Sequence, residues 1–169
     1  MLFRSGQTLA AMIAEGEIDA LYTARIPSTF RTRPSAVTRL FENYVDVERA
    51  YYRKTGIFPI MHTLVLRRDV YETNPWVARS LFEAFGEAKA RVLENLYTTS
   101  ALTTMLPWQI AHVEDVRREM GEDWWPYGFA PNQRVLETFL RYHHEQGLSK
   151  RELQPEELFA PETLEAFKI

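Results

Sequence analysis

No cysteine occurs anywhere in the chain. That absence excludes disulfides, thiolate metal ligands and a cysteine nucleophile together, and it leaves the compartment open, because exported proteins also do without the residue. Apolar runs are short: none reaches the roughly 18 residues of a membrane-spanning helix. The opening "MLFRSGQTLAAMIAEGEIDA" is interrupted by Arg4, Gln7 and Glu15 and lacks a signal peptide's apolar centre. A soluble cytoplasmic protein is the expectation. Blocks of lysine or arginine are missing too, and 20 basic against 23 acidic side chains give a formal charge of -3. Neither a nucleic-acid footprint nor a membrane-surface patch is indicated, so the partner to expect is a small acid. The chain also lacks a phosphate loop, "GxSxG", "HExxH" and any close pair of carboxylates beside a histidine. Local motifs therefore identify no reaction.

What is present is an ordinary apolar share of 46% and a high aromatic share of 13%, with Trp108, Trp124 and Trp125 close together. The 169 residues suffice for one domain with a sizeable core. Residues 8–15 read as a short helix carrying Leu9, Met12 and Ile13 on one face and stopped by Gly16. "IDALYTA" at 18–24 reads as a strand, followed by a long loop enforced by Pro27, Ser28 and Pro34. Helical spacing of Leu40, Phe41, Tyr44, Val47 and Tyr51 places one or two helices in 35–55, ended by Gly56. The clearest helix is 75–97, where Leu81, Phe82, Phe85, Ala88, Val92, Leu93 and Leu96 repeat at three and four residues. "TTSALTTM" interrupts it, Pro107 restarts a helix with Ile110, Val113 and Met120, and the last long helix spans 131–146. Pro155 and Pro161 each open a short terminal turn.

Chemistry concentrates in "GIFPIMHTLVLRRDVYETNPW". Its β-branched and apolar residues predict a strand over 60–66, a turn over 67–73 and a helix capped by Asn74 with Pro75 at its first position. His62 stands at the mouth of that strand, where packing against a backbone group and acting on a ligand are both open. His143 and His144 are neighbours and face apart on a helix, so they do not form an i, i+4 metal pair, and no metal site is expected. His112, beside Glu114, Asp115, Arg117 and Arg118, reads as part of a solvated face. "EDWWPYG" offers a rigid aromatic surface through Trp125 and Tyr127, for core filling or for lining a pocket. Arg25, in "YTARIP", follows a strand end, and its guanidinium suits a carboxylate.

The segments "MIAEGEIDALYTARIP", "YYRKTGIFPIMHTLVLRRDVYETNPWVARSLFEAF", "MGEDWWPYGF" and "LETFLRYHHEQGLSKRELQPEELFAPETL" together resemble the C-terminal half of the 4,5-dihydroxyphthalate decarboxylase family, whose fold is similar to that of type 2 periplasmic substrate-binding proteins. The resemblance implies an α/β, helix-rich part of that fold, with residues 1–34 ending the second lobe and crossing over and residues 35–169 forming the returning part of the first lobe. It accounts for two strands among five or six helices, which is too little sheet to stand alone. It implies that His62 and Thr63 face a ligand space opposite Tyr22, Thr23 and Arg25, with Trp125 and Tyr127 as an aromatic wall.

The implied activity is decarboxylation of a dihydroxylated aromatic acid without a cofactor, with His62 as general acid and Arg25 holding a carboxylate. The alternatives are a small-acid-binding protein of the same fold and a non-catalytic remnant. The N-terminal half of the family pattern has no counterpart in these residues. A homo-oligomer or union with an N-terminal half is therefore expected, since open strand edges seek partners.

Overall fold

Thr8 begins the first helix by accepting, on Oγ1, a hydrogen bond from the backbone N–H of Ala11 at 3.2 Å. In this computed structural model, which describes residues 7–165, that helix is α1, Leu9–Glu15. Gly16 ends it in the left-handed region at φ 75°, where the N–H groups of Gly16 and Glu17 reach the Ile13 and Met12 carbonyls. The chain divides between Lys54 and Thr55 into two compact units.

In the first unit α1 is followed by α2, Ser28–Thr32, at the place where a loop was expected. Pro27 precedes its first turn, where a residue without an N–H costs nothing. Thr29 ties the two helices by donating its hydroxyl to the Ala10 carbonyl at 2.8 Å. The guanidinium of Arg39 lies over the rings of Phe30 and Tyr44, at 5.2 and 4.4 Å from their centroids. Helix α3, Tyr44–Thr55, has Asp46 in its first turn and Arg53 and Lys54 in its last, matching the helix dipole. None of its residues is buried, and among the described residues of this unit only Ala14 and Val37 are.

The second unit opens with α4, Arg68–Thr73, where a turn was expected, and Asn74 closes it by donating its N–H to the Val70 carbonyl. Asn74 therefore ends one helix rather than capping the next, and α5, Trp76–Asn95, starts after Pro75. Helix α6, Gln109–Met120, begins at Trp108, whose φ of 56° is a conformation that a bulky residue adopts only under constraint. A 3-10 turn at Ala130–Asn132 leads into α7, Gln133–Glu145. Two further 3-10 turns follow: Pro155–Leu158 packs on α7, and Pro161–Thr163 packs on α5. The Tyr71 hydroxyl donates to Glu162 at 2.7 Å, and that bond holds its pKa above the usual tyrosine value. Among the described residues of this unit the buried ones are Ala78, Val113, Leu136, Leu140, Pro155 and Gln109.

Neither expected strand forms, so the α/β reading is corrected: the described residues are helix-rich and contain no strand. Residues 18–24 continue from Gly16 as bends and irregular chain, and residues 56–67 run without helix, turn or bend. A strand exists only as part of a ladder, and neither segment meets a second extended segment among the described residues. None of these helices is long and apolar enough to cross a membrane.

Candidate functional site

Arg25 is positioned by the backbone just before α2. Thr23 Oγ1 lies 3.2 Å from both the Arg25 N–H and the Arg25 carbonyl, closing a side-chain turn of the kind threonine favours. Arg25, Ile26 and Pro27 then line an open hollow of about 510 Å³ with Ser28, Arg31 and Thr32 of α2. Two guanidinium groups border this hollow, and the donor set suits an anion, a carboxylate above all. Arg31 escaped the sequence reading because α2 itself was taken for a loop, and only the helix brings residue 31 beside residue 25. Tyr22 is fully exposed and lies outside this lining.

His62, Thr63, Trp125 and Tyr127 belong to the second unit, so the expected constellation is divided between the units. His62 and Thr63 are exposed on the irregular 56–67 stretch and make no hydrogen bond to another described residue. The structure therefore does not place His62 as a half-buried, backbone-bonded histidine.

The aromatic loop is better anchored. Asn132 donates through Nδ2 to the carbonyls of Pro126 at 2.9 Å and Gly128 at 2.8 Å. Gly128 has a φ of 96°, and a Cβ on it would lie 3.3 Å from the Phe82 ring, so this corner combines an unusual backbone with close packing. From the α5 side, Lys89 pairs with Asp123 at 2.5 Å and stands 5.2 Å from the centre of the Tyr127 ring. Trp125 meets Phe58 with ring centroids 5.7 Å apart. Trp125 and Tyr127 remain 45% and 42% exposed, which makes them a held aromatic surface rather than core.

Trp124 turns elsewhere. With Leu96, Leu106, Val113, Val116 and His112 it lines an open apolar hollow of about 230 Å³. Buried Gln109 shapes its wall, donating through Nε2 to the Leu96 carbonyl at 2.9 Å and accepting the Thr104 hydroxyl on Oε1. His112 is exposed, as a solvated face requires, yet it also borders this hollow. Nothing in its neighbours along the sequence signals that. Among the described residues no cluster of three or more histidine, aspartate or glutamate side chains is arranged to hold a metal ion.

No family profile matches the chain. Over 164 residues, 97% of its length, it is 43% identical to 4,5-dihydroxyphthalate decarboxylase of Comamonas testosteroni. The match covers 50% of that protein, so the chain spans about half the length of its relative.

Proposed function

We propose, from the match of this chain to the C-terminal half of the 4,5-dihydroxyphthalate decarboxylase family, that it supplies half of a carboxy-lyase for a dihydroxylated aromatic acid. The identity over nearly all of the chain carries this reading. The finer fold, that of type 2 periplasmic substrate-binding proteins, belongs to the same proposal, and in it the segments 18–24 and 60–66 are strands awaiting a sheet.

Each residue's role follows from its own chemistry. Arg25, with Arg31 beside it in the hollow, holds a carboxylate by paired N–H bonds. Trp125 and Tyr127 give a flat ring a face on which to stack. Tyr22 and Thr63 contribute polar contacts. His62 donates a proton to the ring carbon that bears the departing carboxylate, and a ring hydroxyl stabilises the resulting cation. The carbon–carbon bond then breaks, its electron pair returns to the ring, carbon dioxide leaves, and one proton has replaced it. No cofactor takes part in this scheme.

The test is carbon dioxide release from 4,5-dihydroxyphthalate by this chain together with the N-terminal half of the relative. Turnover that disappears in His62→Ala, with an unchanged melting temperature, is expected because His62 is exposed and makes no hydrogen bond to another described residue. Arg25→Lys keeps the charge and loses the fork, so the Kd for the acid should rise by roughly tenfold. Tight acid binding without any release of carbon dioxide supports the second reading, a small-acid-binding protein, which the two-arginine hollow suits equally well.

A further inference from the structure

Residues 56–67 connect α3 to α4 without helix, turn or bend. Pro59 keeps Phe58 extended, because the residue before a proline is barred from the helical region. In an extended chain alternate side chains face opposite sides, which puts Phe58, Ile60, His62, Leu64 and Leu66 on one side and Met61, Thr63 and Val65 on the other. Exposure follows that alternation. Ile60 at 39% is followed by Met61 at 56%, and Leu64 at 60% by Val65 at 82% and then by a half-buried Leu66. Ile57 is half-buried too, at the place where its N–H is tied to Thr55 Oγ1 at 3.1 Å. The side that carries Phe58 also has a partner: the centroids of the Phe58 and Trp125 rings lie 5.7 Å apart, within the range of attractive aromatic pairs. Trp125 stands on the loop that Asn132, the Gly128 corner and the Lys89–Asp123 pair hold in place. The stretch has no such support of its own, since beyond the Ile57 N–H no main-chain group of 57–66 bonds to another described residue. The ring contact thus joins an unheld segment to a held one, on the side to which His62 belongs.

We infer that Phe58 is a positioning residue, whose ring, seated against Trp125, turns the side of the 56–67 stretch that carries His62 toward the aromatic loop. This deepens the reading above, in which Trp125 stacks the ring of the acid and His62 protonates it, and it rests on that reading for its consequence, not for its geometry. Stacking face and proton donor belong to different segments, and Phe58 sets one against the other. His62 comes four residues later, about 13 Å along an extended chain. Half a turn of the stretch about its own axis would carry the imidazole to the far side, and a proton donor acts only when it is held in line with the atom it protonates. Thr63, on the opposite side from His62, offers a ligand its main chain rather than its hydroxyl.

The experiment uses this chain, labelled for NMR, with a soluble gadolinium chelate to report which methyl groups face water and 4,5-dihydroxyphthalate as the probe ligand. Without the acid, the chelate should relax the methyl of Met61 faster than those of Ile60, and those of Val65 faster than those of Leu64. Both differences should vanish in Phe58→Ala and return in Phe58→Tyr, which keeps the ring, while helical circular dichroism stays the same in all three chains. With the acid, its ring protons should show Overhauser contacts to Trp125 and to the His62 imidazole. Phe58→Ala should lose the contacts to His62 and keep those to Trp125, a split that a general loss of structure would not produce. Equal relaxation of the two sides in the unaltered chain overturns the inference, and so do contacts between the acid and His62 that survive Phe58→Ala. An acid that touches neither Trp125 nor His62, in a chain whose two sides still differ through Phe58, leaves the positioning intact and removes the stacking face from the proposed function.

Discussion

At the scale of single residues, a well-formed guanidinium–carboxylate contact lies away from the candidate site. Arg151 grips Glu157 with two parallel bonds, at 2.8 and 2.5 Å, and Glu157 accepts the Gln154 N–H at 2.8 Å, closing a capping box on the Pro155–Leu158 turn. The guanidinium holds the Glu157 carboxyl well below its ordinary 4.5, at about 2. A depressed carboxylate stabilises the fold above its ordinary value, and that contribution fades as pH falls from about 4.5 to about 2. The pair is exposed, so salt should weaken it. A carboxyl-detected NMR titration should find Glu157 half-protonated near the low end of that window in the native chain and shifted up toward 4.5 in Arg151→Met. An unshifted titration in the variant would show that the guanidinium is not the cause.

Among the elements, α7 and α5 show how far helical periodicity can be read as burial. In α7 the spacing of Leu136 and Leu140 predicts a core face, and both are buried, Leu140 to 4% exposure. In α5 the same rule picks out Phe85 and Val92, which are 46% and 59% exposed, while Ala78 is buried. Period selects a face, but a neighbour must be present to cover it. Leu140→Ala should therefore cost about 2–5 kcal/mol in urea unfolding, and Phe85→Ala well under about 1 kcal/mol. Equal losses would mean that the α5 stripe is covered in the isolated chain. The ends of α1 and α5 were legible because Gly16 and the threonine-rich stretch after Tyr97 have local causes. Helices α2 and α4 were not, since five and six residues are too short for a periodic signal.

Over the molecule as a whole, few side chains are fully buried. The first unit buries Ala14 and Val37 alone among its described residues, and the second also buries Ala78, Val113, Leu136 and Leu140. Stability drawn from so few apolar side chains is small in the first unit, because removal of apolar surface from water is the main favourable term. Amides of α1 and α3 should thus exchange at nearly their intrinsic rates, and those of α7 around Leu136 and Leu140 markedly more slowly. Comparable protection in both units would contradict this. The exposure of Leu40 at 89% and Met105 at 102% shows that uncovered apolar surface is not confined to residues 57–66.

The residues themselves determined the long helices, most of their stops and the family resemblance, because a helix satisfies its own backbone and writes its face into neighbouring positions. They also marked 60–66 as β-prone. Whether that segment becomes a strand was decided only in three dimensions, since a ladder needs a partner and none is met among the described residues. The site divides in the same way. Arg25, Trp125 and Tyr127 could be picked out by their chemistry, but the place of Arg31 in the same hollow as Arg25, the lining of the apolar hollow by Trp124 and the role of Gln109 depend on tertiary placement that no local pattern records.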